Sequence, residues 1–139
     1  MRIVLVGQSA FGEKVFEGLI ASGEEVVAVY APPDSSPGKT DTLVALAAAH
    51  GIPTRQPHQL RSLEVIEDHK RFEPELNVVT SIAEPMPPAM VGHPTLGTIQ
   101  YHPSLLPRHR GPSPINWAVI RGETKTGLTM FWPDDGPHT

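Results

Sequence analysis

At 139 residues, with 39% hydrophobic and 19% charged side chains, the chain has the size and composition of one globular domain and is too short for two. A net charge of −4 argues against a broad polyanion-binding surface, and the absence of cysteine excludes disulfides, a thiolate zinc site and a cysteine nucleophile. No run of about 18 apolar residues is present, and the opening MRIVLVG reads as a strand rather than a signal peptide, so no membrane association and a cytoplasmic protein are expected.

Residues 2–6, Arg-Ile-Val-Leu-Val, are nearly all apolar and β-branched, as in a parallel strand buried on both faces. Gly7 to Gly12 then turns the chain into a helix expected from Ala10 to Ser22, with Gly23 as its left-handed stop. Such a turn suits an anion at the positive helix start. The spacing lacks the middle glycine of a dinucleotide fingerprint, however, and a tight turn serving only packing is an equal reading. Glu25–Tyr30 predicts the second strand, and 31–39 a loop of turn-forming residues.

A helix follows, with Thr40 or Asp41 as its N-cap and Gly51 as its stop. Ile52 to Gln56 is expected as a short edge strand, because Pro53 has no N–H for a ladder. Residues 61–72 predict a helix over the sheet, with Leu63, Ile66 and Phe72 inward. Leu76 to Ile82 reads as another buried strand, ending in the rigid loop Ala83-Glu84-Pro85-Met86-Pro87-Pro88. Thr98 to Tyr101 is a further strand. Ser113 and Pro114 start a helix that runs to Arg121, and Thr126 to Trp132 alternates as a last strand. This order predicts an α/β fold with a doubly wound, mostly parallel sheet and right-handed crossovers.

Most of the sixteen prolines concentrate at 32–37, 85–94 and 103–114, which stiffens those loops. The last of these follows His102 at a strand end, where open α/β sheets place their ligands. An imidazole changes charge near neutral pH and can move a proton or donate to an oxyanion. Arg108, His109 and Arg110 form either a local basic patch or a solvated loop. His50, His58, His69, His93 and His109 show no metal-ligand spacing and are expected to face solvent, and no metal is expected.

The run HPSLLPRHRGPSPINW at 102–117, with MRIVLVGQSAFG at the start and FWPDDG near the end, resembles the folate-dependent formyltransferase family. That family includes methionyl-tRNA, glycinamide ribonucleotide and sugar N-formyltransferases and the hydrolase domain of 10-formyltetrahydrofolate dehydrogenases. The resemblance implies a Rossmann-like formyltransferase fold, with 1–139 as an N-terminal catalytic domain that stops inside the loop completing the pocket. It implies 10-formyltetrahydrofolate as the formyl donor and an amine or water as the acceptor. A tRNA acceptor is not favoured, since the 31–39 loop carries only Lys39 where tRNA-specific relatives carry a basic insertion.

By the same resemblance His102 is the central catalytic group. Gln100 stands where the transferases have an oxyanion-assisting Asn, which the dehydrogenase-type hydrolases, the branch most similar to this chain in motif, also lack. His138 stands where an Asp is expected. Ala83, Glu84, Pro85, Met86, Leu105, Leu106 and Pro107 are implied walls of the folate site, and Gly7, Gln8, Ser9, Ser104 and Asn116 the acceptor side. A second imidazole cannot stabilise an imidazolium as a carboxylate does, so His138 implies a substitute base or impaired turnover.

Overall fold

The computed structural model describes residues 1–82, 84–103 and 128–131, the last strand and residues 101–103 by their backbone. Strand β1 (Arg2–Val6) leads to helix α1 (Ser9–Ala21), β2 (Glu25–Tyr30), α2 (Thr42–Ala49), β3 (Thr54–Arg55), α3 (Leu63–Arg71), β4 (Leu76–Val79), the single-turn α4 (Pro88–Val91), β5 (Thr98–Pro103) and β6 (Leu128–Phe131). The sheet order is β3-β2-β1-β4-β5-β6. All neighbours are parallel except β6, which runs antiparallel to β5. The strand order reverses between β1 and β4, the topological switch of a doubly wound sheet.

Alternation along the central strands builds two cores. Ile3 and Leu5 of β1 pack with Val15, Phe16 and Leu19 of α1 and with Leu43 and Ala47 of α2. Val4 and Val6 face the other way, with Ala28, Tyr30 and Val79, where Val65 and Phe72 close over them. The pairing of β1 with β2 steps from Ile3↔Val26 to Val4↔Ala28, leaving Val27 as an extra residue. That bulge inverts the phase of β2, so Val26 lies in the first core while Ala28 and Tyr30 lie in the second. The expected alternation alone would keep all three on one face.

The helix ends follow local chemistry. Asp41 caps α2 by accepting from the Leu43 N–H, and Gly23 and Gly51 stop α1 and α2 at φ 83° and 74°. Gly7 and Gly12 serve close packing. A Cβ on Gly7 would lie 1.9 Å from Thr80 Oγ1, and one on Gly12 would lie 2.7 Å from Leu43 Cδ2.

Several expectations need correction. β3 is limited to Thr54–Arg55 and β4 to Leu76–Val79, shorter than the expected Ile52–Gln56 and Leu76–Ile82. α4 was not foreseen; Pro88 at its first turn breaks what reads as continuous loop. Helix α3 is rotated from the expected face. Leu63 is 72% exposed, whereas Val65 and His69 point inward together with Phe72, the one expected residue that packs on the second core, at i, i+4 and i+7. His69 is therefore fully buried and not solvent-facing, while His50, His58 and His93 are exposed as expected. Its burial is made possible by Asn77 of β4, whose Oδ1 lies 2.8 Å from His69 Nε2. The helix expected from Ser113, the ends of the last strand and the Arg108–Arg110 patch lie outside the described residues.

Candidate functional site at the carboxyl edge

The carboxyl ends of β1, β2 and β4 lie along one edge of the sheet, and the described loops that follow β1 and β4 hold Gly7, Gln8, Ser9, Glu84, Pro85 and Met86. The β1–α1 turn supplies Gly7, Gln8 and Ser9. Gly7 N–H donates to Tyr30 O at 2.9 Å, which ties this turn to the end of β2. Gln8 is the N-cap residue of α1 by position, but its side chain makes no capping bond. The Ser9 N–H donates to Asp41 Oδ1 and Oδ2 at 2.9 and 3.0 Å, so the helix start faces a carboxylate of the chain itself.

Glu84, Pro85 and Met86 follow β4. Glu84 Oε1 accepts from the Leu60 N–H at 3.3 Å, tying the β4 loop to the β3–α3 connection. Met86 packs against the second core. The neighbouring β2 loop is braced as well, because Gln56 Nε2 donates to Pro32 O at 3.1 Å and to Asp34 Oδ1 at 2.8 Å. A depression of about 60 Å³ opens between these loops, walled by Val6, Pro32, Pro57, Leu60 and Ile82, with His58 and Glu84 among its lining residues. A larger one, of about 280 Å³, opens beside Ser9, Lys39 and Asp41.

On β5, Gln100 pairs in register with Val79 of β4 and Phe131 of β6, and His102 with Thr129. The strand continues through Pro103, so His102 lies within its final turns of ladder and not just beyond them. His102 therefore stands toward the carboxyl end of a strand flanked on both sides, next to the end of β4 from which Glu84 and Met86 follow. Ala83, Ser104, Leu105, Leu106, Pro107, Asn116 and His138 lie outside the described residues.

Beneath this edge sits a polar group that the sequence reading missed. Tyr30 Oη donates to Asp68 Oδ2 at 2.6 Å, and Arg55 Nε donates to the same oxygen at 3.0 Å. Arg55 also covers the Phe72 ring, 5.2 Å from its centroid. Burial, with the Asp68 carboxylate beside it, pushes the Tyr30 phenol far above its ordinary value. Burial opposes ionisation of Asp68, but the Tyr30 hydroxyl and the Arg55 guanidinium outweigh it and hold the carboxyl below its usual range. The available signal was spacing: Val65, Asp68 and Phe72 recur at helical intervals. Among the described residues no group of three or more His, Asp or Glu is placed to hold a metal ion, and no helix is long and apolar enough to cross a membrane.

A doubly wound sheet with braced loops at the carboxyl ends of its central strands defines a Rossmann-like α/β domain, a class of fold that takes its ligands at that edge. The sequence model of the Formyl transferase family matches residues 1–139, and the chain belongs to that family. It is 42% identical to the cytosolic 10-formyltetrahydrofolate dehydrogenase of Xenopus tropicalis, covering 100% of this chain and 16% of that protein. It is 40% identical to the methionyl-tRNA formyltransferase of Geobacter sulfurreducens, covering 100% of this chain and 45% of that protein. The phosphoribosylglycinamide formyltransferase of Bacillus halodurans shares the fold at a TM-score of 0.66 and 21% identity, over 98% of this chain and 73% of that one. The chain thus spans less than half the length of either relative matched by sequence.

Proposed function

We propose that the chain is the N-terminal catalytic unit, 1–139, of a 10-formyltetrahydrofolate-using enzyme that moves the formyl group to an amine or to water. The observation that carries this reading is the family match over every residue, together with the position of His102 near the carboxyl end of β5. The folate is bound between the 83–88 loop and the loop after β5, with Ala83, Glu84, Pro85, Met86, Leu105, Leu106 and Pro107 as its walls. Gly7, Gln8, Ser9, Ser104 and Asn116 form the acceptor side.

The acceptor's nitrogen or oxygen attacks the formyl carbon and gives a tetrahedral adduct whose oxygen carries the developing charge. His102 donates to that oxygen or takes the nucleophile's proton. Gln100 offers a second amide donor, one methylene further out than an Asn. Collapse of the adduct breaks the bond from the formyl carbon to the folate nitrogen, which leaves with a proton. His138 stands in for the carboxylate that would orient this proton transfer. A cytoplasmic location fits the cytosolic enzyme among the relatives, and a tRNA acceptor is disfavoured by the single lysine of the 31–39 loop.

A second reading follows from His138 itself: a folate-binding regulatory protein that turns nothing over. Isotope-labelled 10-formyltetrahydrofolate offered with and without amines separates the two. Formate release without an acceptor supports hydrolysis, and labelled amine supports transfer. Binding without either product supports the regulatory reading, and His138→Asp should then raise the rate sharply.

A further inference from the structure

Helix α1 begins at Ser9, beside the loop that leads into α2. A helix start carries about half a positive charge and unpaired N–H donors, and so ordinarily suits an anion from outside. Here the anion is internal. Both oxygens of Asp41 accept from the Ser9 N–H, at 2.9 and 3.0 Å. Oδ1 also lies 3.3 Å from the Ser9 hydroxyl, and Oδ2 takes the Leu43 N–H at 2.9 Å. One carboxylate takes the first N–H of α1 and caps α2. Ser9 sits at φ 58°, a left-handed conformation that side chains other than glycine rarely adopt, and these bonds hold it there.

The space beside this contact is open. The depression of about 280 Å³ is bounded by Gln8, Ser9, Asp34, Lys39 and Asp41, large enough for part of an acceptor. Its charged lining is two carboxylates against one lysine. An incoming phosphate or carboxylate would find the Ser9 donors already taken and the local charge unfavourable.

We propose that Asp41 is a specificity-determining residue: it withholds the start of α1 from anionic groups, so the acceptor is water or an amine with no phosphate or carboxylate anchored at that corner. The acceptor assignment rests on the formyl-transfer reading, whereas the exclusion of anions rests on the Ser9–Asp41 contact alone.

The test titrates inorganic phosphate into the isotopically labelled full chain while following the Ser9 amide resonance. Asp41→Ser keeps a capping side chain for α2 but is too short to cover Ser9; Asp41→Asn keeps the size and removes the charge. The wild-type amide should show no saturable response, and Asp41→Ser should gain binding at least about tenfold tighter, the scale of one hydrogen bond to a charged group. Asp41→Asn should fall between them. Wild-type binding at Ser9 as tight as in Asp41→Ser overturns the proposal, as does a folded Asp41→Ser chain that gains nothing. Binding of 10-formyltetrahydrofolate is measured in parallel. If no form binds it, the acceptor assignment falls while the exclusion of anions is judged separately by the phosphate titration.

Discussion

His69 Nε2 and Asn77 Oδ1 lie 2.8 Å apart, joining helix α3 to the central strand β4 inside the second core. Asn77 spends both amide protons elsewhere, on Met90 O and Thr98 Oγ1 at 2.9 Å each, so its oxygen can only accept. His69 must therefore carry its proton on Nε2, and its buried Nδ1 has no partner among the described residues. This series of hydrogen bonds closes with Thr98 Oγ1 donating to Val91 O at 2.8 Å, which ties the end of α4 to the strand that bears His102.

Asn77→Ala removes the shared centre of this network and leaves the His69 donor and the Met90 carbonyl buried without it. The expected loss is on the order of 3 kcal/mol, read by urea unfolding. A loss below about 0.5 kcal/mol would mean that the network adds little to stability.

Burial lowers the His69 pKa, against the opposing pull of its bond to Asn77. The imidazole is then neutral in the folded chain at pH values where the unfolded chain already binds a proton. Stability from this group is complete above about pH 6.5 and declines as pH falls below it, by up to about 1.4 kcal/mol per unit. Asp68, whose pKa is also lowered, contributes its own loss only further into acid. His69→Gln keeps a donor for Asn77 and should flatten the slope below about pH 6.5; an unchanged slope would assign it to other groups.

Of the two tyrosines, Tyr30 should remain un-ionised well past pH 10, because burial and Asp68 raise its pKa. Phenolate absorbance in the Tyr30→Phe chain should match wild type until alkaline unfolding. The same variant should cost about 1 kcal/mol through the lost bond to Asp68. Early loss of phenolate signal in Tyr30→Phe would contradict the buried pair.

Two glycine substitutions should act with opposite sign. Gly7→Ala drives a Cβ to 1.9 Å from Thr80 Oγ1 and should destabilise by about 1–3 kcal/mol, with partial recovery when Thr80→Ala is added. Gly18→Ala meets nothing within 4 Å and should stabilise α1 by about 0.5–1 kcal/mol. Thermal unfolding of the set reads both signs.

Strand and helix order were legible because β1 and β4 are long apolar runs and because Gly23, Gly51 and Asp41 mark helix ends with local chemistry. Three features were hidden. The Val27 bulge leaves no mark in the pattern EVVAVY, yet it decides which core receives Tyr30. The inward face of α3 carries Asp68 and His69, so apolar periodicity alone points to Leu63 and Ile66 instead. The contact of Asp41 with Ser9 joins residues far apart in sequence, and a capping aspartate looks the same whether or not it has a second partner. The site itself was read from the motif after His102, of which the structure describes only the strand that leads in.

Loss of the formyl label from 10-formyltetrahydrofolate in a single turnover, compared between wild type and His102→Ala at matched folate occupancy, tests the account most directly. It predicts loss of label by wild type, slowed about 10²–10⁴-fold in His102→Ala with folate binding retained. Equal rates in the two chains would contradict it, as would a wild-type chain that binds no folate.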